Sequence, residues 1–165
     1  MRHDTIDIEL ADSPEAFKAA RDLFIEYSEQ LQIDLCFQGF DAELRSIHER
    51  YGAPDGCLLL AHDEQGLCGC VGVRRFDASR CEMKRMYVRP RARGRGLGRL
   101  LGLEALRFAQ RRGYEEMLLD SLPTMSAAVR LYESLGFERV SAYYDTPIVG
   151  TVFMRRRLQE EAVDV

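Results

Sequence analysis

The stretch Met83-Lys-Arg-Met-Tyr-Val-Arg-Pro-Arg-Ala-Arg-Gly-Arg-Gly-Leu-Gly-Arg-Leu-Leu101 decides the fold. Its first part continues Cys81-Glu82 as a strand ending at Val88. Gly94, Gly96 and Gly98 then make a turn, and from Leu97 apolar residues recur at helical spacing to Arg112, where Gly113 stops the helix. Strand, glycine turn and helix in that order suit an anion. Glycine adopts positive φ and lets the backbone approach a ligand, and the free N–H groups of a helix start favour negative charge. Seven basic residues (Lys84, Arg85, Arg89, Arg91, Arg93, Arg95, Arg99) and no acidic one lie between Lys84 and Arg99, which points to a phosphate or pyrophosphate. The loop is not GxxxxGK[ST], and Arg99 stands where the dinucleotide fingerprint needs its third glycine. A single-stranded nucleic-acid groove would offer more stacking aromatics than Tyr87. The plain alternative is a glycine turn with a solvated basic rim.

Working outward, Thr5–Leu10 alternates as a strand, and Asp12-Ser13-Pro14-Glu15 starts a helix carrying Ala16, Ala20, Leu23, Phe24, Tyr27 and Leu31 on one face. A second helix is expected over Asp41–Tyr51, with Leu44, Ile47 and His48 on one side. After the turn Gly52–Gly56, Cys57–His62 and Leu67–Phe76 read as a hairpin. Beyond Gly113, Glu116–Asp120 is a short strand. Thr124–Leu135 is a helix with Met125, Ala128, Val129, Tyr132 and Leu135 on one face, and Phe137–Tyr144 and Thr151–Leu158 are closing strands. The order predicts an α/β (α+β) fold: a mixed, mostly antiparallel sheet of about seven strands flanked by about four helices.

At 165 residues, 46% apolar and 30% charged, the chain suits one domain over 1–165 and is too apolar for a disordered chain. No apolar run approaches the roughly 18–20 residues of a membrane span. The balance of 23 basic against 27 acidic residues, net −4, argues against a bulk nucleic-acid binder. Cys36, Cys57, Cys68, Cys70 and Cys81 form no CxxC pair and read as buried core thiols in a reducing compartment. The spacing of Cys68 and Cys70 places both on one strand face. The N-terminus lacks an apolar leader core, so a cytoplasmic location is expected, and no metal is.

Arg93-Gly-Arg-Gly96-Leu-Gly98 resembles the R/Q-x-x-G-x-G/A signature of the GNAT superfamily of N-acetyltransferases. The likeness extends to Val88-Arg-Pro90, Leu118-Leu-Asp120 and Ala128-Val-Arg-Leu-Tyr132-Glu-Ser-Leu-Gly-Phe137, which is similar to the superfamily's A-x-x-L-Y-x-x-x-G-F block. Tyr143–Gly150 is similar to one bacterial branch. The resemblance implies a GNAT fold and direct transfer of acetyl from acetyl-CoA to a primary amine. It implies the pyrophosphate of coenzyme A on the amides of Gly94, Arg95, Gly96, Leu97, Gly98 and Arg99, beside Arg93. The pantetheine arm would pair with Met86, Tyr87 and Val88, whose backbone amides polarise the thioester carbonyl, and a splayed neighbouring strand would leave it room.

Acetyl transfer also needs a base for the amine and an acid for the leaving thiolate. Tyr132 aligns with the superfamily's thiolate-protonating tyrosine; by spacing alone it is a core aromatic. Glu82, eleven residues before Arg93, resembles the base glutamate of the histone-modifying branch, and alternation puts it on one strand side with Lys84 and Met86. The plain reading of Glu82 is a solvent-facing carboxylate. Tyr143 and Tyr144 are candidates to line the acceptor pocket, or else ordinary strand aromatics; His48 and His62 read as surface residues. Met125 stands where the family often has Asn, with Ser126 beside it. The partners implied are acetyl-CoA and an amine, with no nucleic acid or membrane, and a homodimer is the assembly to test for. The rival reading is a non-catalytic acyl-CoA-binding or regulatory module.

Overall fold

The computed structural model describes residues 5–31, 33–35 and 39–158. The strands β1 (Asp7–Leu10), β2 (Cys57–Asp63), β3 (Gly66–Arg75), β4 (Arg80–Val88), β5 (Glu116–Ser121), β6 (Glu138–Val140) and β7 (Val152–Arg157) form a seven-stranded sheet in the order β1-β2-β3-β4-β5-β7-β6. Among the described residues every pairing is antiparallel except β4 with β5. The helices are α1 (Pro14–Leu31), α2 (Phe40–Arg45), α3 (Ile47–Arg50), α4 (Leu97–Arg112) and α5 (Ser126–Ser134).

Two apolar layers sandwich the sheet. On one face α4 buries Leu97, Leu101, Ala105, Leu106 and Ala109 against Cys57, Leu59, Val71, Val73, Cys81 and Met83, with Val129 and Tyr132 of α5 and Leu135 just past its end closing the layer. On the other face α1 buries Ala20, Leu23 and Phe24 against Leu58, Leu60, Cys70 and Tyr87. Ser13 opens α1 by accepting the Ala16 N–H at 3.1 Å. Gly96 (φ +74) starts α4 and Gly113 (φ +88) ends it, as the glycine pattern predicts.

Four expectations need correction. The helix expected over Asp41–Tyr51 is two helices. Ser46 breaks it by turning its hydroxyl back onto the Ala42 carbonyl (2.7 Å) and leaving helical geometry at φ −123. Ile47 is consequently buried while His48 is exposed. Cys68 and Cys70 face opposite sides of the sheet, because the β2–β3 register shifts between Ala61 and His62: Cys68 packs on the α4 side and Cys70 on the α1 side. Both are free and buried, as are Cys57 and Cys81; Cys36 lies outside the described residues. The strand expected over Phe137–Tyr144 stops at Val140, because Tyr143 and Tyr144 turn over the sheet to bond with carboxylates on β4 and β5.

The fourth correction shapes the site. Lys84 pairs with Gly72 and Tyr87 with Cys70, so Arg85 and Met86 together face the single residue Val71. This β-bulge flips the alternation of β4. Met83 and Met86 both join the α4 side, while Tyr87 joins the α1 side. Glu82 and Met86 therefore do not share a face.

Candidate active site

β4 and β5 pair only at Arg80–Glu116, Cys81–Met117 and Glu82–Leu118, and then part, although β4 continues to Val88 and β5 to Ser121. The gap opens into a cleft of about 450 Å³ lined by Met86, Tyr87 and Val88 on one wall and Thr124–Ala128 on the other, with Tyr27, Gln30 and Leu31 of α1 over it and Arg93 at its end. Met125 and Ser126 both line it. Beyond Arg93 lies the glycine turn. Gly94 and Gly96 have φ +81 and +74, and a Cβ on either would meet no atom within 4 Å, so the backbone is open to a ligand. Leu97 contributes backbone only, its side chain being core, and Gly98 abuts Leu131.

The basic rim is not a row of solvated cations. Lys84 and Arg85 are buried and paired with Asp120 and Glu43. Arg89 pairs with Glu26. Arg91 and Arg95 converge on one oxygen of Asp63, at 2.7 and 2.6 Å. Their hydrogen bonds hold the Asp63 carboxyl well below the usual carboxylate range. Among the described residues Arg93 and Arg99 bond only neutral groups: Arg93 donates to the Val88 carbonyl and Gln30, and Arg99 to Ser134.

At the throat, where the strands part, lies a buried polar network on the α1 side. Glu82, 2% exposed, is no surface carboxylate. It accepts Arg74 at 2.9–3.0 Å and the Tyr143 hydroxyl at 2.5 Å. Lys84 donates to Asp120 at 3.0 Å and stands 3.8 Å from Glu82. The Tyr144 hydroxyl donates to Asp120 at 2.7 Å. Both tyrosine rings pack edge-on against Phe153. Burial alone would raise the Asp120 pKa; the Lys84 charge and the bonds from Tyr144 and Lys84 outweigh it and hold the carboxyl below its ordinary value. Burial, then the Glu82 charge, drives the Tyr143 phenol far above its usual value.

Tyr132 is buried, edge-on to Phe137, and its hydroxyl makes no hydrogen bond among the described residues. Burial, reinforced by Tyr27 and Asp120, raises its pKa, so the phenol keeps its proton at neutral pH. His62 pairs with Glu9 on the surface. Arg85 carries φ +58, the one positive φ among described non-glycine residues. Left-handed backbone costs such a residue about 1–2 kcal/mol. Its guanidinium forks onto Glu43 of α2 at 2.9 and 3.1 Å.

Sequence reasoning missed Glu43, Arg74 and Asp120. Asp120 alone left a signal, as a carboxylate closing the apolar strand Met117–Leu119.

A family sequence profile described as an acetyltransferase (GNAT) domain matches residues 54–139. An uncharacterized N-acetyltransferase of Schizosaccharomyces pombe is 41% identical over 162 residues, covering 97% of this chain and 99% of its own. N-acetylaspartate synthetase of Danio rerio is 30% identical over 126 residues, covering 75% of this chain and 45% of its own. The fold is shared with an acetyltransferase from Streptococcus agalactiae (TM-score 0.75, 20% identity, 93% and 98% of the two chains). It is also shared with yncA of Salmonella typhimurium, solved with acetyl-CoA (TM-score 0.68, 21% identity, 98% of each chain).

Proposed function

The chain belongs to the GNAT family of acetyltransferases, and on that premise we propose that it moves the acetyl group of acetyl-CoA to a primary amine by direct attack in a ternary complex. One observation carries the reading: β4 and β5 part beyond Glu82–Leu118, above a cleft that ends on the open Gly94–Gly98 turn. The acetyl-CoA-bound relative of the same fold supports it.

When bound, acetyl-CoA supplies an activated thioester and a thiol leaving group. The amides from Gly94 to Arg99 receive the pyrophosphate at the start of α4, with Arg93 and Arg99 as the cations free of carboxylate partners among the described residues. Met86, Tyr87 and Val88 bind the arm as an added strand. Arg85 and Met86, which no ladder pair occupies, offer amide donors toward the carbonyl oxygen. Tyr132, protonated and without a competing partner among the described residues, gives its proton to the departing sulfur. Ser126 lines the cleft where Met125 lacks the amide common in the family.

Glu82 takes the amine's proton through Tyr143, whose hydroxyl already donates to it. A second reading assigns that step to Asp120 through Tyr144, and it is favoured by the position of Asp120 just past the last β4–β5 pair, two residues beyond Leu118 where the strands have parted. In either case Tyr143 and Tyr144 form a wall of the acceptor pocket. The pH–rate profiles of Glu82→Gln and Asp120→Asn separate the two: the true base loses most turnover at low pH, where free amine is scarce, and the other variant follows the wild-type shape.

The same proposal takes residues 1–165 as one catalytic domain in a reducing cytoplasm, with a homodimer to be tested by sedimentation. The metal, nucleic-acid and membrane absences expected from the sequence stand as part of it. No helix among the described residues is long and apolar enough to cross a membrane.

The test is a panel of amines (aspartate, spermidine, an aminoglycoside and a peptide with a free N-terminus) incubated with acetyl-CoA and read as free thiol. Release above background with at least one amine is expected. Tight acetyl-CoA binding with no release from any of them would instead favour a non-catalytic acyl-CoA module.

A further inference from the structure

The bulge in β4 is held from an unexpected side. Arg85 occupies a left-handed backbone position that glycine would fill without strain. Its side chain is buried beneath α2, where Glu43, 1% exposed, takes the guanidinium in a two-toothed pair at 2.9 and 3.1 Å. The Phe40 ring lies 5.2 Å from the guanidinium carbon, and the Arg85 carbonyl accepts the Cys70 thiol at 3.4 Å. The left-handed backbone at Arg85 is part of the bulge itself; the buried fork on the same residue is a second, separate feature that a freely sliding strand irregularity would not need. Slipping the bulge by one residue would drag the guanidinium off Glu43 and swap the faces of Met86 and Tyr87.

We propose that Glu43 is a positioning residue that locks the β4 bulge at Arg85–Met86 and so fixes the amides and the Met86–Val88 wall that face the thioester. The inference rests on the reading of the β4–β5 cleft as the acetyl-CoA site. It places control of thioester geometry on α2, a helix outside the cofactor turn. A merely structural ion pair would affect stability and activity together; a positioning pair separates them.

Three variants make the separation: Glu43→Gln, Arg85→Gly, and the two combined. Each single variant leaves one buried charge short of its partner and melts lower than wild type. The double variant removes both charges and gives the bulge a residue that tolerates φ +58, so its melting temperature recovers most of that loss. The lock stays absent, so its kcat, measured with whichever panel amine the wild type acetylates, stays at least 10-fold below wild type, with the KM for acetyl-CoA within threefold. Binding gives an acceptor-free readout. Wild type holds acetyl-CoA more tightly than CoA through the carbonyl contact, and the double variant loses that preference while its CoA dissociation constant stays within threefold. Recovery of kcat and of the preference together with stability in the double variant overturns the positioning role. So does a wild type that binds both ligands equally. A wild type that binds neither ligand overturns the site reading itself, and this inference with it.

Discussion

Lys84 Nζ and Asp120 Oδ1 meet at 3.0 Å across the second register step past the point where β4 and β5 cease to pair. The backbone ladder ends at Glu82–Leu118, and two side chains bridge the strands just past it. Tyr144 holds the other Asp120 oxygen and Glu82 flanks Lys84, so the clasp ties the Tyr143–Tyr144 segment to the throat of the cleft.

Removing one partner of a buried pair strands the other charge. Lys84→Met is expected to cost about 3–5 kcal/mol, which for this size lowers the melting temperature by roughly 6–20 °C. Lys84→Met combined with Asp120→Asn should recover part of that loss. Thermal unfolding followed by circular dichroism checks this; a single variant that melts with wild type would mean the pair contributes nothing.

Acid should unfold the protein through these same carboxylates. Glu43 and Asp120 both sit below their ordinary values of 4.5 and 3.8; burial opposes the shift, and Arg85 and Lys84 respectively overcome it. A depressed folded-state pKa adds stability that is fully present above the unfolded value and is lost as pH falls through the folded one. Urea midpoints should therefore stay level from pH 7 to about 5 and decline steadily below about 4.5. A decline already under way at pH 6 would point to a different titrating group.

Tyr132→Phe separates packing from chemistry. The hydroxyl makes no hydrogen bond among the described residues, so its removal breaks none and should cost little stability. Turnover should fall by roughly 10²-fold if protonation of the thiolate limits the rate. Steady-state kinetics with an identified acceptor decides it, and full retained turnover would return Tyr132 to the core.

Gly96→Ala tests the turn. A Cβ there meets no protein atom within 4 Å, so the cost is conformational, about 1–2 kcal/mol for φ +74 in a non-glycine residue. The added methyl projects into the space over the turn, so acetyl-CoA affinity, measured by calorimetry, should drop at least 10-fold. An unchanged affinity would move the pyrophosphate elsewhere.

The parts of this molecule that were legible in the sequence are those written in local spacing. Gly96 and Gly113 bracket α4 where the glycine pattern puts them, and the seven strands follow one another along the chain as alternation and turns predict; their order in the sheet, with β7 between β5 and β6, is not written in local spacing. The bulge was not legible, because its left-handed residue is Arg85 and no glycine marks it. The alternation carried through it then assigned Met86 to the wrong face. Charge pairing was also out of reach. The rim from Lys84 to Arg99 looked free because its counterions come from Glu26, Glu43, Asp63 and Asp120, which lie between 28 and 63 residues away for the pairs that bind Arg89, Arg85, Arg91 and Lys84. Whether Tyr143 and Tyr144 are pocket residues or plain strand aromatics stays open in the sequence, because nothing local shows that Glu82 and Asp120 lie beneath them.

The claim on which everything else depends is that the β4–β5 cleft and the Gly94–Gly98 turn hold acetyl-CoA. The melting temperature of the unmodified protein, with and without acetyl-CoA at about 100 times its dissociation constant, tests it without knowledge of the acceptor. Stabilisation of about 2.7 kcal/mol, a rise of roughly 5–11 °C, is expected, and Gly96→Val should abolish it. No rise in the wild type at any concentration, or an equal rise in Gly96→Val, would contradict it.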